Sequence, residues 1–85
     1  MKSVWKYSLE LTDEQTLLVP ADFQILKVGV QDNVIQAWAL VTPGDPSHMI
    51  KIRISGTGHP IDTLGFRYID SVFQAQFVWH IWAGE

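Results

Sequence analysis

The chain has no cysteine. That rules out a disulfide framework and a thiolate zinc site, and it leaves no sign of an oxidising compartment. Positive charge is also scarce. Six Lys and Arg stand against nine Asp and Glu, for a formal net charge of −3. Long nucleic acids are usually met by a basic footprint, so they are not an expected partner. No apolar run reaches the roughly 18–20 residues of a membrane-spanning helix. The opening MKSVWKYSLE has neither a continuous apolar stretch nor a small-residue cleavage site, so it does not read as a signal peptide. The expectation is a soluble cytoplasmic protein with no membrane partner. Amphipathic segments of helical length are missing as well, which points away from helices altogether.

What remains is short, apolar and aromatic. Eighty-five residues make a single domain, 1–85. A chain of this size buries only about 60–65% of its unfolded surface. Yet 47% of it is hydrophobic, with four Trp, four Phe and two Tyr. Apolar surface that a small monomer cannot hide is usually covered by a partner, so a homo-oligomer is expected.

Period-two alternation recurs along the chain. Trp5, Tyr7 and Leu9 alternate with Lys6 and Ser8, and Ile50, Ile52 and Ile54 alternate with Lys51, Arg53 and Ser55. This is the pattern of half-buried strands. Further runs cover 15–19, 23–31, 34–41, 67–74 and 75–82. Asp32-Asn33 suits a tight hairpin, because both residues tolerate left-handed backbone. VIQAWALV (34–41) is apolar on nearly both faces and reads as a central or doubly covered strand. TPGDPS (42–47) is a loop. The fold expected is all-β: a small antiparallel sandwich or partly open barrel of about six or seven short strands. At most one helical turn is expected near residues 60–66, with Asp62 and Thr63 as cap candidates.

The stretch that does not read as plain strand is SGTGHPID (55–62). Glycines allow positive φ, and successive backbone N–H groups beside them can form a nest for an anion. Thr57 offers a hydroxyl and His59 a ring. Lys51 and Arg53 precede the loop and Arg67 follows it, so half of the six basic residues flank one segment. A candidate ligand site for a phosphate or phosphodiester is thus Lys51, Arg53, Gly56, Thr57, Gly58, His59 and Arg67. The equally simple reading is a strand exit, with Gly56 and Gly58 shaping the turn and His59-Pro60 fixing an extended corner.

A catalytic grouping of His59 and Asp62 with Ser55 or Thr57 lacks any nucleophile elbow, so no catalytic residues are assigned. His48, His59 and His80 are widely spaced without paired-ligand spacing, so no metal is expected, nor any other cofactor. Trp5, Trp38, Trp79 and Trp82 read as core or interface residues, with base stacking as the alternative.

The runs MKSVWKY, WALV (38–41) and GTGHPI (56–61), with FVWHIW near the end, resemble a family of short bacteriophage and prophage proteins of unknown function. The resemblance extends over nearly the whole chain. By analogy with small phage proteins that counter bacterial defence, it implies a non-enzymatic sponge. Such a protein would act as an oligomer in the host cytoplasm and sequester an anionic signal such as a cyclic nucleotide. The other reading it leaves open is a module that binds and redirects a host protein.

Overall fold

The alternating runs form seven strands and no helix in a computed structural model that describes residues 1–85. They are β1 Ser3–Leu9, β2 Glu14–Pro20, β3 Gln24–Gln31, β4 Val34–Val41, β5 Ser47–Gly56, β6 Phe66–Gln74 and β7 Phe77–Gly84. All pairings are antiparallel. Sheet A has the order β1-β4-β3 and sheet B the order β2-β5-β7-β6. The sheets stack as a sandwich that is not closed into a barrel, with β3 and β6 meeting along one side.

The sequence allows at most one helical turn at 60–66, and element ends move by one or two residues, β5 starting at Ser47 inside the expected loop. Residues 60–66 hold no helical turn; Asp62 Oδ1 instead accepts the Leu64 amide at 3.0 Å, and the Phe66 amide reaches the Thr63 carbonyl at 2.9 Å. Ala75 and Gln76 make the last hairpin turn, so β7 starts at Phe77 rather than at residue 75.

Strand alternation assigns the core. Ile52 and Ile81 are fully buried at the centre of sheet B, facing Ile35, Ala37 and Val28 of sheet A. Removing each large aliphatic side chain from water is worth about 1.5–3 kcal/mol. β4 is the central strand of its sheet, as its two apolar faces suggest. Ile35, Ala37, Ala39 and Val41 are buried on its inner face, and even Gln36 on the outer face is buried. The Gln36 carboxamide oxygen accepts a hydrogen bond from the Ser8 hydroxyl at 2.8 Å, which offsets the burial of a polar group.

Only 15 of the 85 residues are buried, so contacts outside the core carry weight in the fold. The chain crosses between sheets at three links: β1 to β2, β2 to β3, and β4 to β5. The last two are tied to each other. The Ala21 amide donates to the Pro46 carbonyl at 2.9 Å. Asp22 accepts the Thr42 amide on Oδ1 at 2.9 Å, and the Thr42 hydroxyl and Lys2 ammonium on Oδ2 at 2.5 and 2.6 Å. The first link is clipped by Gln15, whose side chain bonds both the amide and the carbonyl of Glu10 at 2.9 and 2.6 Å.

Gly84 marks a close approach. A methyl group there would sit 2.6 Å from the Gly65 carbonyl oxygen and 3.1 Å from the Phe66 ring. The Phe66 ring lies across this gap, and its position matters for the outer face of sheet B.

Two predictions follow from these contacts. Gly84→Ala forces backbone apart and should cost about 1–3 kcal/mol. A melt should register this as roughly 4–8 °C per kcal/mol in a domain of this size. The Asp22 carboxyl is held well below the usual carboxylate range by the Lys2 hydrogen bond first, then by the Thr42 hydroxyl and amide. A depressed carboxyl stabilises the fold above its unfolded value, near pH 4, and loses that contribution as pH falls through the folded value. Asp22→Asn should therefore melt below the parent at pH 7, with the gap narrowing below about pH 4. A constant gap across pH 2–7 in paired thermal melts (about five pH points) would show that the carboxylate charge is not what matters.

Candidate functional site

β5 delivers the glycine loop, and alternation decides which side chains face outward with it. Ile50, Ile52 and Ile54 point into the sandwich, so Lys51, Arg53 and Ser55 lie on the outer face of sheet B. Register then places their neighbours. Lys51 stands opposite Gly84, which stands opposite Phe66. Arg53 lies between Glu14 and Trp82, with Tyr68 beyond. Ser55 faces His80, which faces Ser71. The outer face thus carries three cross-strand rows rich in aromatic and hydroxyl groups.

The three cations flanking the loop do not converge. Arg67 pairs with Ala83 on the opposite side of sheet B and lines a small cleft with Phe23, His48 and Glu85. Lys51 and Thr57 are six positions apart on an extended strand, which is roughly 20 Å. Arg53 is already engaged. Its Nε donates to Glu14 Oε1 at 2.8 Å, its Nη1 to the Asp62 carbonyl at 2.5 Å, and its guanidinium lies 4.1 Å from the Phe66 ring centroid. It clamps the far end of the loop to the sheet. Closeness in sequence suggested a cationic pocket, and strand geometry disperses it.

The loop itself is a tight turn. The His59 amide donates to the Gly56 carbonyl at 3.1 Å, and Gly58 takes a left-handed φ of 86°. A methyl group at Gly56 would crowd the His59 ring at 3.0 Å and the Trp79 ring at 3.3 Å. His59 therefore lies over Gly56 on the Trp79 side. Thr57 turns to the outer face, where Oγ1 shares a 2.8 Å hydrogen bond with His80 Nε2. Thr57 and His59 thus end on opposite faces of the sheet. Asp62 is spent on the Leu64 amide, so the grouping of His59 and Asp62 with a hydroxyl is not formed.

A different grouping is formed. His80 Nδ1 shares a 2.7 Å bond with Ser71 Oγ, which shares a 2.5 Å bond with the Tyr68 hydroxyl. The chain runs Tyr68, Ser71, His80, Thr57. A neutral imidazole donates from one nitrogen and accepts at the other, and hydroxyls do both, so every member is satisfied in either direction. When protons run from Tyr68 toward Thr57, the Thr57 hydroxyl hydrogen is left to donate outward. An electron-rich group at Thr57 selects that polarity. His80 was legible only as a mid-strand histidine beside tryptophans. Its partner Ser71, and Tyr68 beyond it, carried no sequence signal, because the bulge between Tyr68 and Asp70 sets their register.

The tryptophans divide. Trp82 lies half-buried on the outer face of sheet B, edge-on to Tyr68 at 5.3 Å between centroids, its indole N–H aimed at Ser55 Oγ 3.4 Å away. Trp79 lies on the inner face, packed against the core, and its indole N–H donates to Gln74 Oε1 at 3.1 Å. Trp38 lies on the outer face of sheet A over Gly29, between Lys6 and Lys27 in register. Trp5 stands on an edge strand and stays partly exposed. No three His, Asp or Glu side chains gather as a metal-ligand group.

No curated protein and no solved structure matches the chain. Residues 1–85 match a family described as a domain of unknown function, DUF7352. The match spans the full length, and the chain belongs to that family.

Proposed function

We propose that this chain is a non-enzymatic binding protein that takes a planar, anionic, nucleotide-type ligand on the outer face of sheet B. The observation that carries this reading is the setting of Trp82. Its half-buried ring sits between Arg53 on β5 and Tyr68 on β6, one row from Lys51 and one row from the His80 hydrogen-bond chain. A base stacking on Trp82 directs its polar edge toward Ser55, His80 and Ser71, and a phosphate toward Lys51. Arg53 acts by holding the Gly56–Asp62 loop rather than by reaching the ligand. Arg67 has no part, since it lies on the other side of the sheet. Thr57 is too far from Lys51 to share one small ligand with it, and acts through its hydrogen bond to His80.

One feature supports binding without turnover. The Thr57–His80 pair has the spacing of a hydroxyl and its base, but neither residue lines any of the four main clefts. Hydroxyl–base catalysis depends on a site that holds a substrate and excludes water. An open face suits a ligand held between two copies of the chain, and we propose an oligomer on that ground. Sequestration of an immune signal in the host cytoplasm is the role that the phage resemblance implies for such binding.

One observation favours the second reading, a module that docks on a host protein. Leu18 and Met49 are opposite one another on the same outer face, 63% and 66% exposed, and Phe73 at the other corner is 76% exposed. A flat face with such margins also fits a protein surface.

The deciding experiment incubates the protein with a panel of cyclic mono- and dinucleotides, reads thermal shift, then heat-denatures the protein and recovers the ligand. Intact ligand should return. Trp82→Ala should weaken capture by about 5- to 150-fold, the equivalent of about 1–3 kcal/mol of stacking. Lys51→Ala and Thr57→Ala should also weaken it, and Arg67→Ala should not. Altered ligand would make the protein an enzyme. No shift across the panel, with a host protein retained on an affinity column, would establish the docking reading instead.

A further inference from the structure

The end of the sandwich formed by the β3–β4 and β6–β7 hairpins is not plugged. A cleft of ≈ 500 Å³ opens there, lined by Leu9, Leu11, Val34, Ile35, Ala75 and Phe77, with Asn33 and Gln74 as its two polar residues. Leu9 and Ile35 are buried and form the floor, while Leu11 and Phe77, 54% and 50% exposed, stand at the rim. No ionisable side chain lines it. Its volume falls in the range of about 300–1,000 Å³ typical of small-molecule sites.

The backbone around the cleft is unusual in one respect. The three non-glycine residues with positive φ, Asp32, Asn33 and Ala75, all lie in its two hairpin turns. Asp32 and Asn33 are ordinary in a two-residue hairpin. Ala75 is not. It is the first central residue of its turn, at φ 52°, where glycine is the favoured residue. Strain of this kind persists where surrounding structure holds it, and it clusters at ligand clamps.

The holding structure is visible. Gln74 Nε2 donates to the Asn33 carbonyl at 2.9 Å, joining the two turns across the cleft, while Gln74 Oε1 accepts the Trp79 indole N–H at 3.1 Å. Gln74 Nε2 also reaches Asn33 Oδ1 at 3.3 Å, so with both ends of Gln74 committed Asn33 Nδ2 is the cleft's remaining side-chain donor.

We propose that this cleft is a second binding site, independent of the outer face of sheet B, for a neutral, largely apolar small molecule bearing a hydrogen-bond acceptor. The apolar floor and rim provide the contact area, the Asn33 amide orients the acceptor, and the lack of a facing cation leaves an anion uncompensated. The Ala75 methyl forms part of the wall, which a glycine would leave open.

N-phenyl-1-naphthylamine, a neutral naphthalene probe, tests this against its anionic counterpart anilinonaphthalene sulfonate. The neutral probe should show saturable fluorescence enhancement at one site per chain and bind more tightly than the anion. Leu11→Glu changes an exposed residue, so its melting curve should stay near that of the parent, and it should weaken the neutral probe by about tenfold or more. Ala75→Gly should melt higher than the parent yet bind about fourfold more weakly, the loss of one methyl contact. Lys51→Ala on the other face should bind the probe like the parent. Non-saturable enhancement, tighter binding of the anionic probe, or unchanged affinity in Leu11→Glu would overturn the proposal.

Discussion

The carboxylate of Asp22 ties together two of the three places where the chain passes between sheets. A sandwich with so small a core must stop its two layers from sliding apart where the chain passes between them. Asp22 stands at one crossing and Thr42 at the start of another, and the carboxylate binds Thr42 through both backbone and side chain while drawing in Lys2 beside β1. One side chain thus gathers the N-terminal strand, the β2–β3 corner and the end of β4. The Ala21–Pro46 bond runs alongside it and joins the same two crossings through backbone alone. Burial supplies the driving force, and these contacts decide that it is realised in one arrangement.

Much of this was legible from residue order, because a strand's side-chain period is two and each alternation announces a face. The isoleucines of β5 and the doubly apolar β4 could be assigned to core and centre without coordinates. The site was legible only in part. Lys51, Arg53 and Arg67 are near one another in sequence, but an extended chain moves about 3.3 Å per residue and turns alternate side chains to opposite faces. Across the β5–β6 connection, Arg67 therefore emerges on the far side of sheet B. His80 illustrates the converse. Its two hydroxyl partners come from the β5 exit and from β6, 23 and 9 residues away, brought to its ring by the β5–β7 register on one side and by the β6–β7 register past a bulge on the other.

The outer face of sheet B owes its character to a small number of substitutions of space for side chain. Gly84 has no Cβ, so the Phe66 ring folds over it, and the Arg53 guanidinium settles on that ring. Arg53 is thereby turned away from solvent chemistry and toward Glu14 and the Asp62 carbonyl. The loop that looked most like an anion nest is held in shape by the cation that seemed destined to serve it.

Trp79 has a further consequence. Its ring forms one side of the space at Gly56 where His59 lies, and its N–H ends at Gln74, which holds the two hairpin turns together. A single indole therefore packs against the glycine loop with its ring and braces the open cleft, at the same end of the sandwich, through Gln74. Neither compartment can be rebuilt without the other feeling it, and a change of residue at position 79 would be read in both places at once.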